Sequence, residues 1–376
     1  MKRRLLMVGR TRYDLPLSET LARKFAALDA ELEVRVLATA RRLSAADPRF
    51  RLYRPLPLGP LEGAAFYALL PFRVARELRA FRPDAVLVQG GQETALVLLG
   101  RALARSRAKV ILDVHGDWHA PTRLYGSPAR RLLAPLGDAL ARIAVRRADA
   151  VRTISAYTSG LVRAEGVEPA AEFPAFMDLE PFIAAPPAPL PEPPTALFVG
   201  VLERYKAVDV LADAWRLAAD RASAAKLRIV GDGSLQAVVE ALVAELPETV
   251  TWTPTVPTGE VVAALDAATV LVLPSRSEGL GRVGVEAFCR GRGVVGSRVG
   301  GIPDLVTDGE TGMLVLPGDP GALADALVAV LEDRALAARL GTAAHTAIQP
   351  WLATPEDYAR RIRGLVDIVC QTIVCE

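Results

Sequence analysis

Two carboxylates bracket a glycine-bearing turn in Pro274-Ser-Arg-Ser-Glu-Gly-Leu-Gly-Arg-Val-Gly-Val-Glu286, with seven residues between Glu278 and Glu286. An apolar run, Thr269-Val-Leu-Val-Leu273, leads into the turn and reads as a buried parallel strand. Helical sequence begins near Val283. A strand, a Gly-rich turn and a helix start leave backbone N–H groups aimed at an anion. A phosphate cradle flanked by carboxylates suits a ligand with both phosphate and hydroxyl groups, as a nucleotide sugar has.

Three other stretches add candidate groups. Gly200-Val-Leu-Glu-Arg-Tyr-Lys206 lies between a strand and a helix, and sets Lys206, with Arg204 nearby, where a cation reaches a diphosphate. Ile229-Val-Gly-Asp-Gly233 ends the next strand in a tight turn. Asp113-Val-His-Gly-Asp-Trp-His119 ends a strand in the first half and puts His115 at its carboxyl end. Taken singly, each has an ordinary structural explanation. Glycines end strands in any such sheet, most lysines near turns are solvated, and most histidines are bonded structural residues. The order and spacing of the stretches carry the argument. The three cysteines (Cys289, Cys370, Cys375) are odd in number and lack ligand-like neighbours, which predicts a reducing compartment and no metal site.

Positioning these residues takes two domains, the natural expectation for 376 residues. Strand-like runs alternate with helical patterns in residues 1–183, which predicts an N-terminal Rossmann-like domain. Residues 184–194 contain six prolines and predict a stiff, extended linker. A second alternation fills 195–350, the expected nucleotide-sugar-binding domain. The final helix, within 351–376, is expected to cross back to the first domain. The fold class is therefore α/β, with two doubly wound parallel sheets facing a central cleft. Ligands in such sheets bind beyond the carboxyl ends of the strands. The basic and then apolar start reads as leading into a first strand, Arg4–Val8, rather than as a signal peptide, because Arg10 and Arg12 follow at once. No apolar run reaches the roughly 18–20 residues that span a bilayer, so a cytoplasmic protein is expected.

Charge is unevenly spread. Residues 1–180 hold 29 Lys and Arg against 19 Asp and Glu, while the remainder holds 16 against 24. A basic first half fits an anionic acceptor or an anionic membrane surface. Glu62–Phe81 is apolar, with Arg73, Arg76 and Arg79 near one another. It fits a helix resting peripherally on the inner face of the membrane, or a buried helix with a solvated rim; Pro71 interrupts its pattern. Nucleic acid is excluded, since no basic stripe with interleaved aromatics occurs. A nucleotide-dependent oxidoreductase needs Gly-x-Gly-x-x-Gly after the first strand of a domain, and neither domain has it.

Phe198–Lys206, Ile229–Gly233, Pro274–Ala287 and Gly300-Gly-Ile-Pro-Asp304 with Gly312–Asp319 together resemble, in order, the motifs of the retaining glycosyltransferases of family 4, which have the GT-B fold. The resemblance covers residues 195–350 well; in the first half it rests on His115 and Phe176-Met-Asp178. It implies transfer of a hexose-type sugar from a nucleoside diphosphate sugar, UDP- or GDP-linked, to a sugar, lipid-linked or small-molecule acceptor, without a metal or other cofactor. It implies Glu278 on hydroxyls of the transferred sugar, Glu286 on the ribose, and Lys206 with Arg204 on the diphosphate. The N–H groups of Gly281, Arg282 and Val283 would face the diphosphate or sugar, and His115 would position the sugar or acceptor. Gly231, Gly233 and Trp252 would form the base pocket, and Gly9 would lie in the first-domain loop. Val201 stands where the family has arginine, Ala207 stands where it has glycine, and the Gly9 loop lacks the usual second glycine. Those departures keep open a catalytically impaired partner of another transferase.

Overall fold

Short β-branched runs, each followed by a stretch of helical period, become parallel strands with their covering helices. The computed structural model describes residues 2–43, 45–55, 62–120 and 134–371. The chain divides into two units, and each has its own parallel sheet.

Unit one holds the described residues up to Ala120, from Ala134 to Asp178, and from Ala353 onward. Its strands are β1 (Arg4–Leu15), β2 (Glu33–Leu43), β3 (Phe50–Tyr53), β4 (Ala85–Gln89), β5 (Lys109–Val114), β6 (Ala150–Thr153) and β7 (Ala171–Glu172). They lie in the order β3-β2-β1-β4-β5-β6-β7, all parallel. Its helices include α1 (Glu19–Glu31), α2 (Glu62–Phe81), α3 (Gly91–Ala104), α4 (Ala134–Arg147) and α5 (Ala156–Ala164).

Alternation along β1 divides the core. Leu6 and Val8 pack with Phe66, Leu70, Val74 and Val97 of α2 and α3, while Leu5 faces Phe25 and Leu28 of α1. One expectation is corrected here. The Gly9–Asp14 stretch, read as a loop, continues β1 along β2 after a register shift. Tyr13 and Leu15 are buried there, and Tyr13 packs edge-on against Phe25 and Phe50. The helix read across residues 64–81 is present as α2, unbroken for 20 residues with Pro71 buried inside it.

Unit two runs from Leu179 to Leu352. Its strands are β8 (Thr195–Val199), β9 (Lys226–Val230), β10 (Val250–Thr253), β11 (Val270–Leu273), β12 (Gly293–Ser297) and β13 (Gly312–Val315), in the order β10-β9-β8-β11-β12-β13 and again parallel. The helices are α6 (Glu180–Ile183), α7 (Val208–Ala219), α8 (Gln236–Glu245), α9 (Thr258–Asp266), α10 (Arg282–Cys289), α11 (Ile302–Leu305), α12 (Pro320–Glu332) and α13 (Arg334–Ala347). Trp215, fully buried, anchors α7 in a core shared with α12 and the sheet. The last helix, α14 (Pro355–Gln371), belongs to unit one, where Tyr358, Ile362, Leu365 and Val366 join the core around α1.

The chain enters unit two between Asp178 and Leu179, ahead of the proline-rich stretch 184–194. That stretch is bonded to unit two rather than standing free of it. Arg290 donates to the carbonyls of Phe182, Ala185 and Pro186 and pairs with Asp266 at 2.7 Å. Arg292 donates to the carbonyls of Ala188 and Pro189, and to those of Leu265 and Asp266 in α9. Proline lacks an N–H, so these segments satisfy their acceptors through donors from elsewhere. Both guanidinium groups are buried. Arg292→Ala would strand several buried acceptors and leave a cavity, so we expect a loss of about 3 kcal/mol in urea-induced unfolding.

Candidate functional site

Strand β11 is apolar throughout and ends at Leu273, so the polar residues that follow it start at the carboxyl edge of the sheet. There Glu278 meets Lys206, which comes from the single 3-10 turn Arg204–Lys206 after β8. Their charged groups are in direct contact, and both side chains are only 13% exposed. The Ser275 hydroxyl, itself buried, lies 3.5 Å from the same Glu278 oxygen.

The two turns are fixed to one another by a residue that the sequence did not single out. Arg276 grips both oxygens of Asp209, in the first turn of α7, at 2.8 and 2.7 Å. It also donates to the Arg204 carbonyl at 2.9 Å, and its backbone N–H donates to Tyr205 O at 2.7 Å. The bidentate grip holds Asp209 below its usual range against the opposing effect of burial. Arg276 sits two residues before Glu278, but Asp209 is 67 residues away. Sequence spacing does not join them.

Helix α10 begins after Gly281, whose φ of +83° is the left-handed conformation that favours glycine. Its opening N–H groups, those of Arg282 and Val283, have no preceding helical turn to bond. Glu286 lies one turn further on. Its carboxylate accepts from Arg282 Nε at 2.8 Å, across an i,i+4 spacing. Burial raises the Glu286 carboxyl above its ordinary value, against the pull of Arg282. A buried, poorly solvated acid next to free N–H groups is well placed to accept from hydroxyls.

The backbone of the site is locked by turn-to-turn packing. A Cβ at Gly300 would stand 1.9 Å from the Glu278 carbonyl oxygen, and one at Gly231 would stand 1.8 Å from Gly200 O. Gly301 N–H donates to that Glu278 carbonyl at 3.0 Å. Trp252, from β10, donates through Nε1 to Gly231 O at 2.9 Å. Gly233 packs against the backbone of Leu202. Gly231 and Gly233 are thus required by packing as well as placed near Trp252. The Arg204 side chain is exposed.

In unit one, His115 follows directly on β5. Its Nε2 lies 2.9 Å from Asp113 Oδ2, and its Nδ1 lies 3.3 Å from Gln89 Nε2. Gln89 Nε2 also lies 3.2 Å from His115 Nε2, so Asp113 and Gln89 together fix the orientation of the ring. Asp113 also pairs with Arg152, which is fully buried, stacks on the Phe173 ring at 4.0 Å, and donates at 2.8 Å to the carbonyls of Phe173 and Pro174. Burial alone would raise the Asp113 carboxyl; the His115 and Arg152 charges overcome it and hold the group well below the carboxylate range. Gln89 connects this set to the Gly9 region. Its Oε1 accepts from Thr11 at 3.2 Å and would lie 3.5 Å from a Cβ at Gly9. Asp113 and His115 are two residues apart at a strand end, and strand alternation is the signal that would have paired them.

Lys206 and Glu278 are therefore brought together, as are Arg282 and Glu286, Gly231 and Trp252, and, within unit one, His115 and the Gly9 region. Asp113, Arg152, Gln89, Ser275 and the Arg276–Asp209 clamp are additions from the structure. Among the described residues, no three His, Cys, Asp or Glu side chains are grouped closely enough to hold a metal ion.

Two family models match the chain. "Glycosyl transferase 4-like domain" covers residues 18–172, and "Glycosyl transferases group 1" covers residues 193–333. The D-inositol 3-phosphate glycosyltransferase of Nocardia farcinica is 40% identical over 178 residues, which is 44% of this chain and 39% of that protein. The sulfoquinovosyl transferase SQD2 of Arabidopsis thaliana is 34% identical over 157 residues, 41% of this chain and 30% of that one. The matches span about two fifths or less of these relatives' own length. Among solved structures, sucrose-phosphate synthase of Thermosynechococcus elongatus superposes with a TM-score of 0.76 at 21% identity, over 98% of this chain and 99% of that one. HepE of Anabaena in complex with UDP-glucose superposes at 0.66 and 18% identity, over 98% and 100%. Both share the two-sheet GT-B architecture described above.

Proposed function

We propose that this chain, which belongs to the glycosyltransferases of the family 4 type, moves a hexose-type sugar from a UDP- or GDP-linked donor to a carbohydrate, lipid-linked or small-molecule acceptor, with retention of configuration and without a metal ion. The observation that carries the reading is the Lys206–Glu278 contact beside the start of α10, with Glu286 buried one turn into that helix. A departing nucleoside diphosphate gains negative charge. Lys206 and the N–H groups of Arg282 and Val283 are fixed donors for that charge, which is where preorganised electrostatics acts most strongly. Glu278 would receive hydroxyls of the transferred sugar, and Glu286 would accept from the ribose, sharing its oxygens with Arg282.

A carboxylate neutralised by a contacting ammonium group is a weak nucleophile. That supports retention without a covalent glycosyl-enzyme, unlike the two-carboxylate arrangement of retaining hydrolases. His115, oriented by Asp113 and Gln89, would position the sugar or the acceptor. A neighbour in the fold binds UDP-glucose, which agrees with a nucleotide-sugar donor. On the acceptor side, Arg10, Arg12, Arg54 and Arg73 gather around Thr39 and Phe66 in unit one, with Glu62 as the carboxylate in that group. That cluster favours an acceptor with an anionic group, in keeping with relatives named for inositol 3-phosphate.

Thermal unfolding with UDP-, GDP-, ADP- and dTDP-sugars tests the donor assignment. The correct donor at about 100 times its Kd adds about 2.7 kcal/mol and raises the melting temperature by several degrees. Glu286→Ala should abolish the rise while leaving the unliganded melting temperature nearly unchanged. A chain that melts at the same temperature with every nucleotide sugar would defeat the reading.

A further inference from the structure

Three helices, α2, α3 and α4, cover one face of the unit-one sheet. Gly100 of α3 approaches Pro71 and Val74 of α2, and Gly91 of α3 approaches Ala141 of α4, so the three lie side by side in close contact. Their inward residues fill the core. Their outward residues are unusual. On α2 the exposed positions carry Leu69, Phe72, Arg76, Arg79 and alanines. On α3 they carry Leu99, Ala102 and Leu103. On α4 they carry Leu136, Ile143, three arginines, Pro135 and Ala139. No exposed position on any of the three is acidic, or is a serine, threonine, asparagine or glutamine. Phe72 is 64% exposed, Leu136 59% and Ile143 52%. On the exposed side of α8 in unit two, by contrast, Glu240 and Glu245 are mixed with alanines.

A second feature adjoins this face. Where α2 and α3 end, Arg82 and Arg105 hold φ values of +50° and +52°, a conformation non-glycine residues rarely adopt. They line a concavity of about 510 Å³ with Arg3, Arg79, Arg107 and Lys109. Asp84 is its one carboxylate. Among the described residues, the side chains of Arg82, Arg105 and Arg107 make no hydrogen bond or ion pair.

We propose that the outer face of α2, α3 and α4 is a docking surface for an anionic lipid bilayer, with the arginine-lined concavity at its edge receiving lipid phosphate groups. Large apolar side chains would enter the interfacial layer, and the flanking arginines would meet the negative surface charge. Arginine stems cover apolar surface while their heads stay in the polar layer. Among the described residues no helix is long and apolar enough to cross a membrane, and the proposed contact is a peripheral one. Charge selects the bilayer over a second copy of the chain. Glu165, only 13% exposed, pairs with Arg142 and Arg146 at 3.3 and 3.1 Å, but every exposed charged position on the three helices is an arginine, so a symmetric copy of the face would bring like charges together.

Flotation of the full chain with phosphatidylcholine vesicles, with or without 30 mol% phosphatidylglycerol, tests the proposal (the lipid fraction is a chosen condition, on the order of natural anionic membranes). Binding should require the anionic lipid and fall at least about tenfold between 0.1 and 0.5 M salt, as surface charge is screened. The triple variant Phe72→Asp, Leu103→Asp, Ile143→Asp should lose binding, and Arg82→Glu with Arg105→Glu should weaken it. Unchanged melting temperatures would show that both variants are folded. Absence of vesicle binding, or binding that the triple variant keeps, would overturn the proposal. So would a dimer in the absence of vesicles that the triple variant dissociates, which would make the face a contact between copies. None of these readouts depends on sugar transfer.

Discussion

Lys206→Ala is expected to lower kcat/KM for the nucleotide sugar by about 10³-fold, the range found when a fixed charge-stabilising donor is removed. The effect should fall on kcat more than on KM, because the charge that Lys206 meets grows as the diphosphate departs. Stability should change little. The Lys206–Glu278 contact lies at a turn and is partly exposed, so Glu278 can regain solvent once Lys206 is gone. Steady-state kinetics of Lys206→Ala and Lys206→Met, compared with Glu278→Gln, check this. If Lys206→Ala kept kcat within tenfold of the parent, the charge assignment would be wrong.

Arg152→Met is expected to be the most damaging single change in unit one, costing about 3–5 kcal/mol in equilibrium unfolding. The substitution keeps much of the side-chain volume but leaves Asp113 buried beside only His115, and removes the donors to Phe173 O and Pro174 O. The native protein should also show an acid limb attributable to Asp113. Its folded pKa lies below the unfolded value, so its contribution is present above about pH 4 and disappears as pH falls below that. In Arg152→Met, that limb should shrink, because loss of the guanidinium lets burial move the folded Asp113 pKa up towards the unfolded value. Urea titrations at several pH values, read with the pH dependence of any transferase activity, separate lost stability from lost orientation of His115. Parent-like stability in Arg152→Met would contradict the buried-pair account.

The two sheets were legible because several of their strands hold continuous apolar runs, such as Val270–Leu273 and Ala85–Val88, and such a run between helical patterns has few alternatives. The Lys206 and Glu278 stretches were legible because each immediately follows such a run. What stayed hidden depends on distance along the chain. Asp209 and Arg276 carry no local sign that they bind one another, and neither do Arg152 and Asp113, which are 39 residues apart. The continuation of β1 past Gly9 was missed because Arg10, Arg12 and Asp14 break the apolar run that marks its start, leaving only Tyr13 and Leu15 to face the core. The helix over residues 64–81 was legible despite Pro71. A helix already tied by packing to its neighbours tolerates a proline that an isolated one would not.

The arginines that hold residues 182–189 bear on how such a protein exchanges parts. A chimera that brought only Thr195 onward from this chain, and took its preceding segment from another transferase, would separate Arg290 and Arg292 from the carbonyls they bind. The natural seam for grafting a different first unit lies before Leu179, with the proline-rich stretch travelling alongside unit two as part of its packing.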